Sequence, residues 1–120
     1  MNDLQFEKYE ELLGHTFTDV VNHENQELIF HRNDGKKFSF YHYQDCCESV
    51  SIEEVIGDLQ DLVGEPLLIA ESASCDDEEA SESGTWTFYK FATKKGYVDV
   101  RWYGYSNGYY SEYVSFGEIN

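Results

Sequence analysis

Apolar residues return at every second position in two stretches of this chain, and that period predicts strands. In KKFSFYHY at 36–43, Phe38, Phe40 and His42 fall on one face and Ser39, Tyr41 and Tyr43 on the other. In YVDVRWYGY at 97–105, Val98, Val100 and Trp102 oppose Asp99, Arg101 and Tyr103. The runs TFTDVVNH at 16–23 and QELIFHR at 26–32 read as extended segments with a polar join. NDG at 33–35 marks a hairpin, because Asp-Gly supports the positive φ angles of tight turns. SVSIEEVI at 49–56 is rich in β-branched residues, and Pro66 introduces a further extended run, LLIAESAS, at 67–74. The last third holds TWTFYKFAT at 85–93, YVDVRWYGY and YYSEYVSF at 109–116, separated by KKG and SNG. Each separator is a hairpin signal, so these runs predict a three-stranded antiparallel meander.

Three segments depart from the two-residue period. In NDLQFEKYEELLG at 2–14, Leu4, Phe6, Tyr9, Leu12 and Leu13 form a rough helical stripe. Asn2 or Asp3 is placed to cap it and Gly14 to end it, which predicts a short helix over about 3–13. GDLQDLVG at 57–64 reads as a single helical turn closed by Gly64, with Asp58 as its cap. CDDEEASESG at 75–84 is polar and acidic without a period, and reads as a mobile loop. The expected fold is α+β within a single domain, 1–120. It comprises a bent antiparallel sheet of about six to eight strands, a short N-terminal helix over part of it and one short internal helical turn.

Composition sharpens this picture in two ways. Ten Tyr, eight Phe and two Trp favour sheet. Twenty-four acids against eight bases leave a net charge of −16. Thirteen of the acids lie between Phe38 and Tyr89, where there is no Lys or Arg. Direct nucleic-acid binding is excluded on this ground, since phosphate contacts need Lys and Arg. Anionic membranes are disfavoured for the same reason. A field of that sign favours a basic protein surface and speeds encounter with it. Three cysteines, no signal-peptide pattern and no apolar run of membrane length point to a reducing cytoplasm.

The densest candidate chemistry is YHYQDCCE at 41–48. His42, Asp45, Cys46 and Cys47 are ligand types, and Cys75 could join them. Zinc sites, however, favour cysteines two to four residues apart, so that both thiolates reach one ion. Adjacent cysteines on a strand point to opposite faces. Thiol catalysis needs a cationic neighbour or a helix N-terminus, whereas Asp45 and Glu48 would raise a thiol pKa. His42, Cys46 and Cys47 therefore stay weak metal or thiol candidates, and a buried turn and strand is the better account of the stretch. Glu53 with Glu54, and Asp58 with Asp61, are carboxylate pairs by spacing alone. CDDEEASE lacks the spaced ligands and turn glycine of an EF-hand. No cofactor and no enzymatic activity are expected.

Surfaces carry more. RWYGYSNGYYSEYVSF holds Tyr103, Tyr105, Tyr109, Tyr110 and Tyr113 around one expected hairpin. Tyrosines anchor interfaces because they bury much area and keep a polar handle. With Asp76, Asp77, Glu78 and Glu79 as steering charges, they make a candidate surface for a partner rich in Arg and Lys.

The stretches QDCCE at 44–48, GDL at 57–59, DLVG at 61–64, WTFYKFAT at 86–93 and SNGYYSE at 106–112 carry a resemblance. Over roughly residues 12–116 the chain resembles a small domain of unknown function common in phages and prophages of Gram-positive bacteria. The resemblance implies a phage origin and the cytoplasm of the infected host bacterium. In length and setting the chain is also similar to phage anti-defence proteins that bind a defence-associated sirtuin and block its NAD⁺ depletion. That likeness implies an inhibitor docking on a host defence protein with a basic or mixed surface. Two alternatives stand beside it: an acidic DNA mimic that fills the basic channel of a restriction or CRISPR nuclease, and a small metal- or thiol-dependent protein using His42, Cys46 and Cys47.

Overall fold

The polar breaks between apolar runs become tight turns. Strand β1 (Phe17–His23) reverses into β2 (Glu27–Arg32) through Glu24 and Asn25, whose φ angles are 55° and 62°. Asn22 clasps this turn: its Oδ1 accepts from the Asn25 N–H at 2.9 Å and its Nδ2 donates to Asn25 Oδ1 at 2.8 Å. Strand β3 (Lys37–Tyr41) follows the Asp34-Gly35 turn, where Gly35 has φ 94°. There the Arg32 guanidinium grips both Asp34 oxygens, at 3.0 and 2.7 Å.

The computed structural model describes residues 8–44, 47–108 and 111–119. Beyond β3 these comprise β4 (Glu48–Ile56), β5 (Ile69–Asp76), β6 (Ser83–Thr93), β7 (Gly96–Ser106) and β8 (Ser115–Ile119). They form two four-stranded antiparallel sheets, in the orders β1-β2-β3-β8 and β4-β7-β6-β5. Alternation brings one apolar face of each sheet together. Phe17, Val20, Leu28, Phe30, Phe38 and Phe40 meet Val50, Ile52, Phe91, Val98, Val100 and Trp102 in one core cluster. Ring contacts cross between the sheets, Phe30 to Phe91 at 5.2 Å and Phe40 to Tyr89 at 4.7 Å. Packed aromatics of this kind add to what area burial alone contributes. Leu12, Leu62 and Leu67, from the connecting segments, complete the core.

Backbone bonds stitch the sheets together at their margins. The Asn25 carbonyl in the β1–β2 turn accepts from the Ile52 N–H at 2.7 Å, beside a bulge in β4. Residues 14–16 run against 66–67: Gly14 N–H donates to the Leu67 carbonyl at 2.8 Å and Leu67 N–H to the His15 carbonyl at 3.0 Å. The internal helical turn is a 3-10 turn, Leu59–Leu62, and the Asp58 carboxylate accepts from the Gln60 N–H at 2.9 Å.

Several expectations change. The described residues contain two 3-10 turns and no α-helix, so the fold is β-rich and not the expected α+β, and the expected single bent sheet is two four-stranded sheets. The expected helix at 3–13 begins outside the described residues, and its remainder is the four-residue turn Tyr9–Leu12. Leu13 is already extended, because the following residues are drawn into pairing with 66–67. The expected loop at 75–84 shortens to 77–82, since Cys75 and Asp76 end β5 while Ser83 and Gly84 begin β6. Of the three-stranded C-terminal meander only the β6–β7 hairpin forms. β4 occupies the flank of β7 opposite β6, so the chain after β7 crosses to the other sheet and β8 pairs with β3.

Candidate functional site

The outward face of the second sheet gathers what the sequence kept apart. Across β4, β7, β6 and β5 the cross-strand rows read Ser51, Tyr103, Trp86, Cys75, then Glu54, Arg101, Phe88, Ala73. Trp86, Phe88 and Tyr103 are half-buried, while Tyr105 and Cys75 are exposed. Trp86 and Tyr103 rings lie 4.6 Å apart. The Arg101 guanidinium sits 5.6 Å from the centre of the Trp86 ring and pairs with Glu54. Lys90 lies 5.7 Å from the centre of the Tyr97 ring, which is 64% exposed. Half-buried aromatic side chains edged by charge have the makeup of a docking surface.

The acidic turn is joined to this surface by one side chain. Tyr103 lies across Gly84, at a place where any Cβ would collide with its hydroxyl. Its phenol donates to Asp77 Oδ2 at 2.7 Å. That bond first, and partial burial second, push the phenol pKa up to about 12. Asp77 also shapes the turn itself: Oδ1 accepts from the Glu79 N–H at 3.0 Å, and its own N–H donates to the Gly84 carbonyl at 2.8 Å. Asp77 is thus committed to the turn, whereas Asp76, Glu78 and Glu79 are exposed. Tyr103 and Asp77, one residue from each of the sets named from the sequence, meet here.

Tyr113 does not join them. It is 67% exposed, but it lines a cleft on the inner side of β5 and β6 with Ser72, Thr87, Tyr89 and Val114. The crossover between β7 and β8 carries it there. Tyr109 and Tyr110 lie outside the described residues, as do Asp45 and Cys46.

His42 serves the crossover. Its Nδ1 meets the Tyr113 carbonyl at 2.8 Å and its Nε2 the Glu48 carboxylate at 3.2 Å, with side chains 5% and 3% exposed. Cys47 is exposed and is not a free thiol, and Cys75 stands on the outward face beside Trp86. Among the described residues no group of three or more His, Cys, Asp or Glu side chains is arranged to hold a metal ion. Of the spaced carboxylate pairs, Glu54 is paired with Arg101 and Asp58 caps its turn.

Sequence reasoning missed Trp86, Phe88 and Arg101 as surface members. Their signal was present: in TWTFYKF, aromatics occupy both alternating sets, so one set had to face outward. Glu112 was missed too. It is 6% exposed and accepts from Thr85 Oγ1 at 2.7 Å and from Ser106 Oγ. Nothing local distinguishes that acid from the others in the sequence.

A family profile described as Domain of unknown function (DUF7448) matches residues 10–116. No curated protein and no solved structure matches the chain.

Proposed function

The chain belongs to the DUF7448 family, a domain of unknown function, and from that premise we propose that it works by docking onto a cationic protein surface, without catalysis. The observation that carries this reading is the meeting of the acidic turn and the tyrosine face through the Asp77–Tyr103 bond. Charge and aromatic anchors then share one side of one sheet. Acids at the rim, on a chain of net charge −16, accelerate encounter with a basic partner. Tyr105, Tyr103 and Trp86 supply area that holds the complex once formed.

The partner proposed is a host defence protein with a basic or mixed surface, met in the cytoplasm of an infected bacterium. A defence-associated sirtuin that depletes NAD⁺ is the best specific assignment, on the likeness to phage anti-defence proteins. Inhibition would follow from occupying the surface that an activator uses, or from holding the effector inactive. The test is a titration of the purified protein into such an effector while NAD⁺ consumption is followed. Consumption is expected to stop near stoichiometric ratio. A Tyr105→Ala variant with Glu78→Gln and Glu79→Gln is expected to need a large excess. Undiminished NAD⁺ loss at saturating protein rejects the sirtuin assignment.

A further inference from the structure

Of the four sheet edges, β5 is the one with the fewest guards in its own strand. β1 is bulged between Phe17 and Asp19, and β4 between Ile52 and Glu54 with its Ile52 N–H bound to Asn25. β8 is only five residues long. β5 runs eight residues, IAESASCD, in unbroken register with β6, without Lys or Pro. Bulges, lysines, prolines and shortness are the usual guards against strand addition. The Asp77 N–H bonds to Gly84, so the alternating antiparallel pattern assigns the bonds of Glu71, Ala73 and Cys75 to β6. The N–H and C=O groups of Ser72, Ser74 and Asp76 then face outward, and among the described residues no backbone group bonds to that flank; the turn Tyr9–Leu12 lies against β5, where the Tyr9 hydroxyl meets Ser72 Oγ at 2.8 Å, and leaves the backbone of Ser74 and Asp76 open.

Depressions lie on both sides of this edge. The outer one, of about 350 Å³, is lined by Ile56, Ala73 and Phe88 together with Glu71 and Asp99. The inner one, of about 300 Å³, is lined by Ser72, Ser74, Thr87, Tyr89, Tyr113 and Val114. An added strand sends alternate side chains to these two sides. Lys90 and Arg101 also line the outer depression: Lys90 stands between Glu71 and Asp99 in their cross-strand row with its Nζ over the Tyr97 ring, and Arg101 pairs with Glu54. Glu71 and Asp99 form no ion pair among the described residues. A second copy of this chain is a poor occupant. Two-fold pairing of β5 with itself sets Glu71 of each copy beside the Asp76–Asp77 end of the other, on chains each carrying −16.

We propose that β5 is a strand-addition site for an extended, basic segment of a partner protein. Its Lys or Arg side chains meet Glu71 and Asp99 on the outer side, and its apolar side chains enter the inner cleft beside Tyr89 and Val114. The sign of charge rests on the docking reading above; the backbone mode goes beyond it.

The probe is a fluorescent peptide of eight alternating Lys and Val residues, read by anisotropy, with the Glu–Val peptide as control. The Lys–Val peptide is expected to bind, and amide exchange to slow at Ser72 and Ser74. Two further peptides carry N-methyl groups on one or the other alternate set of amides. One set is expected to weaken binding at least about tenfold and the other to leave it unchanged, because only one edge of an added strand faces β5. Equal binding by both methylated peptides overturns strand addition and leaves charge-driven docking standing. Absence of binding by any Lys–Val peptide overturns this inference. So does a dimer in sedimentation that Ser74→Pro converts to monomer, which would make the occupant a second copy.

Discussion

Glu112 is a carboxylate that the fold has taken out of water. Burial alone would push its pKa up, but hydroxyl donors from Ser106, Thr85 and Ser83 outweigh burial and hold it below the usual value. A carboxyl depressed in the folded state stabilises the protein above the unfolded pKa, and the stabilisation is lost as pH falls through the folded one. Glu112→Gln is therefore expected to cost about 1–3 kcal/mol at neutral pH. The gap to the parent should narrow in urea melts below roughly pH 4, where the unfolded-state carboxyl is protonated. Glu24 presents the opposite case. It occupies the left-handed region at φ 55°, where an ordinary side chain is strained and Asn is tolerated. Glu24→Asn is expected to raise the urea midpoint, by roughly 0.5–1 kcal/mol of stability.

At the scale of elements, the crossover from β7 to β8 is the joint that closes the molecule. It passes directly over Gly104, where a Cβ would lie 2.5 Å from the Glu112 carbonyl oxygen and 2.8 Å from its Cβ. Those atoms belong to a segment pinned by Glu112 and by the bond between His42 and the Tyr113 carbonyl, so they have little room to give. Gly104→Ala is expected to destabilise the protein by about 1–3 kcal/mol through overpacking. In hydrogen exchange, the amides of β8 and β3 should lose protection before those of the β6–β7 hairpin. Equal loss across both sheets would count against the crossover as the joint that holds them together.

The whole molecule is two sheets sharing one aromatic core and carrying a large negative field. Like charges over so small a surface repel one another in the compact state. Raising ionic strength from about 0.01 to 0.5 M shortens the Debye length from about 30 Å to a few Å. Thermal stability is expected to rise over that range. A melting temperature indifferent to salt would show that the acids are already neutralised by their neighbours.

Much of the local structure is legible in the chain itself. Alternation, β-branched runs and turn signals together located β1 to β7 nearly to their bounds, Asp-Gly placed the β2–β3 turn, and Asp58 was readable as a cap. These are short-range properties, set by which face a side chain takes and which φ a residue tolerates. The choice of neighbours is different in kind. YYSEYVSF looks like the natural partner of YVDVRWYGY, yet β4 takes that flank and β8 goes to β3. Pairing of this sort depends on which edges the rest of the chain leaves open. The same limit governs the surface: the acids and tyrosines are plain in sequence, but their meeting at Asp77 and Tyr103, the removal of Tyr113 to the other face, and the bare edge of β5 follow only once two sheets have packed.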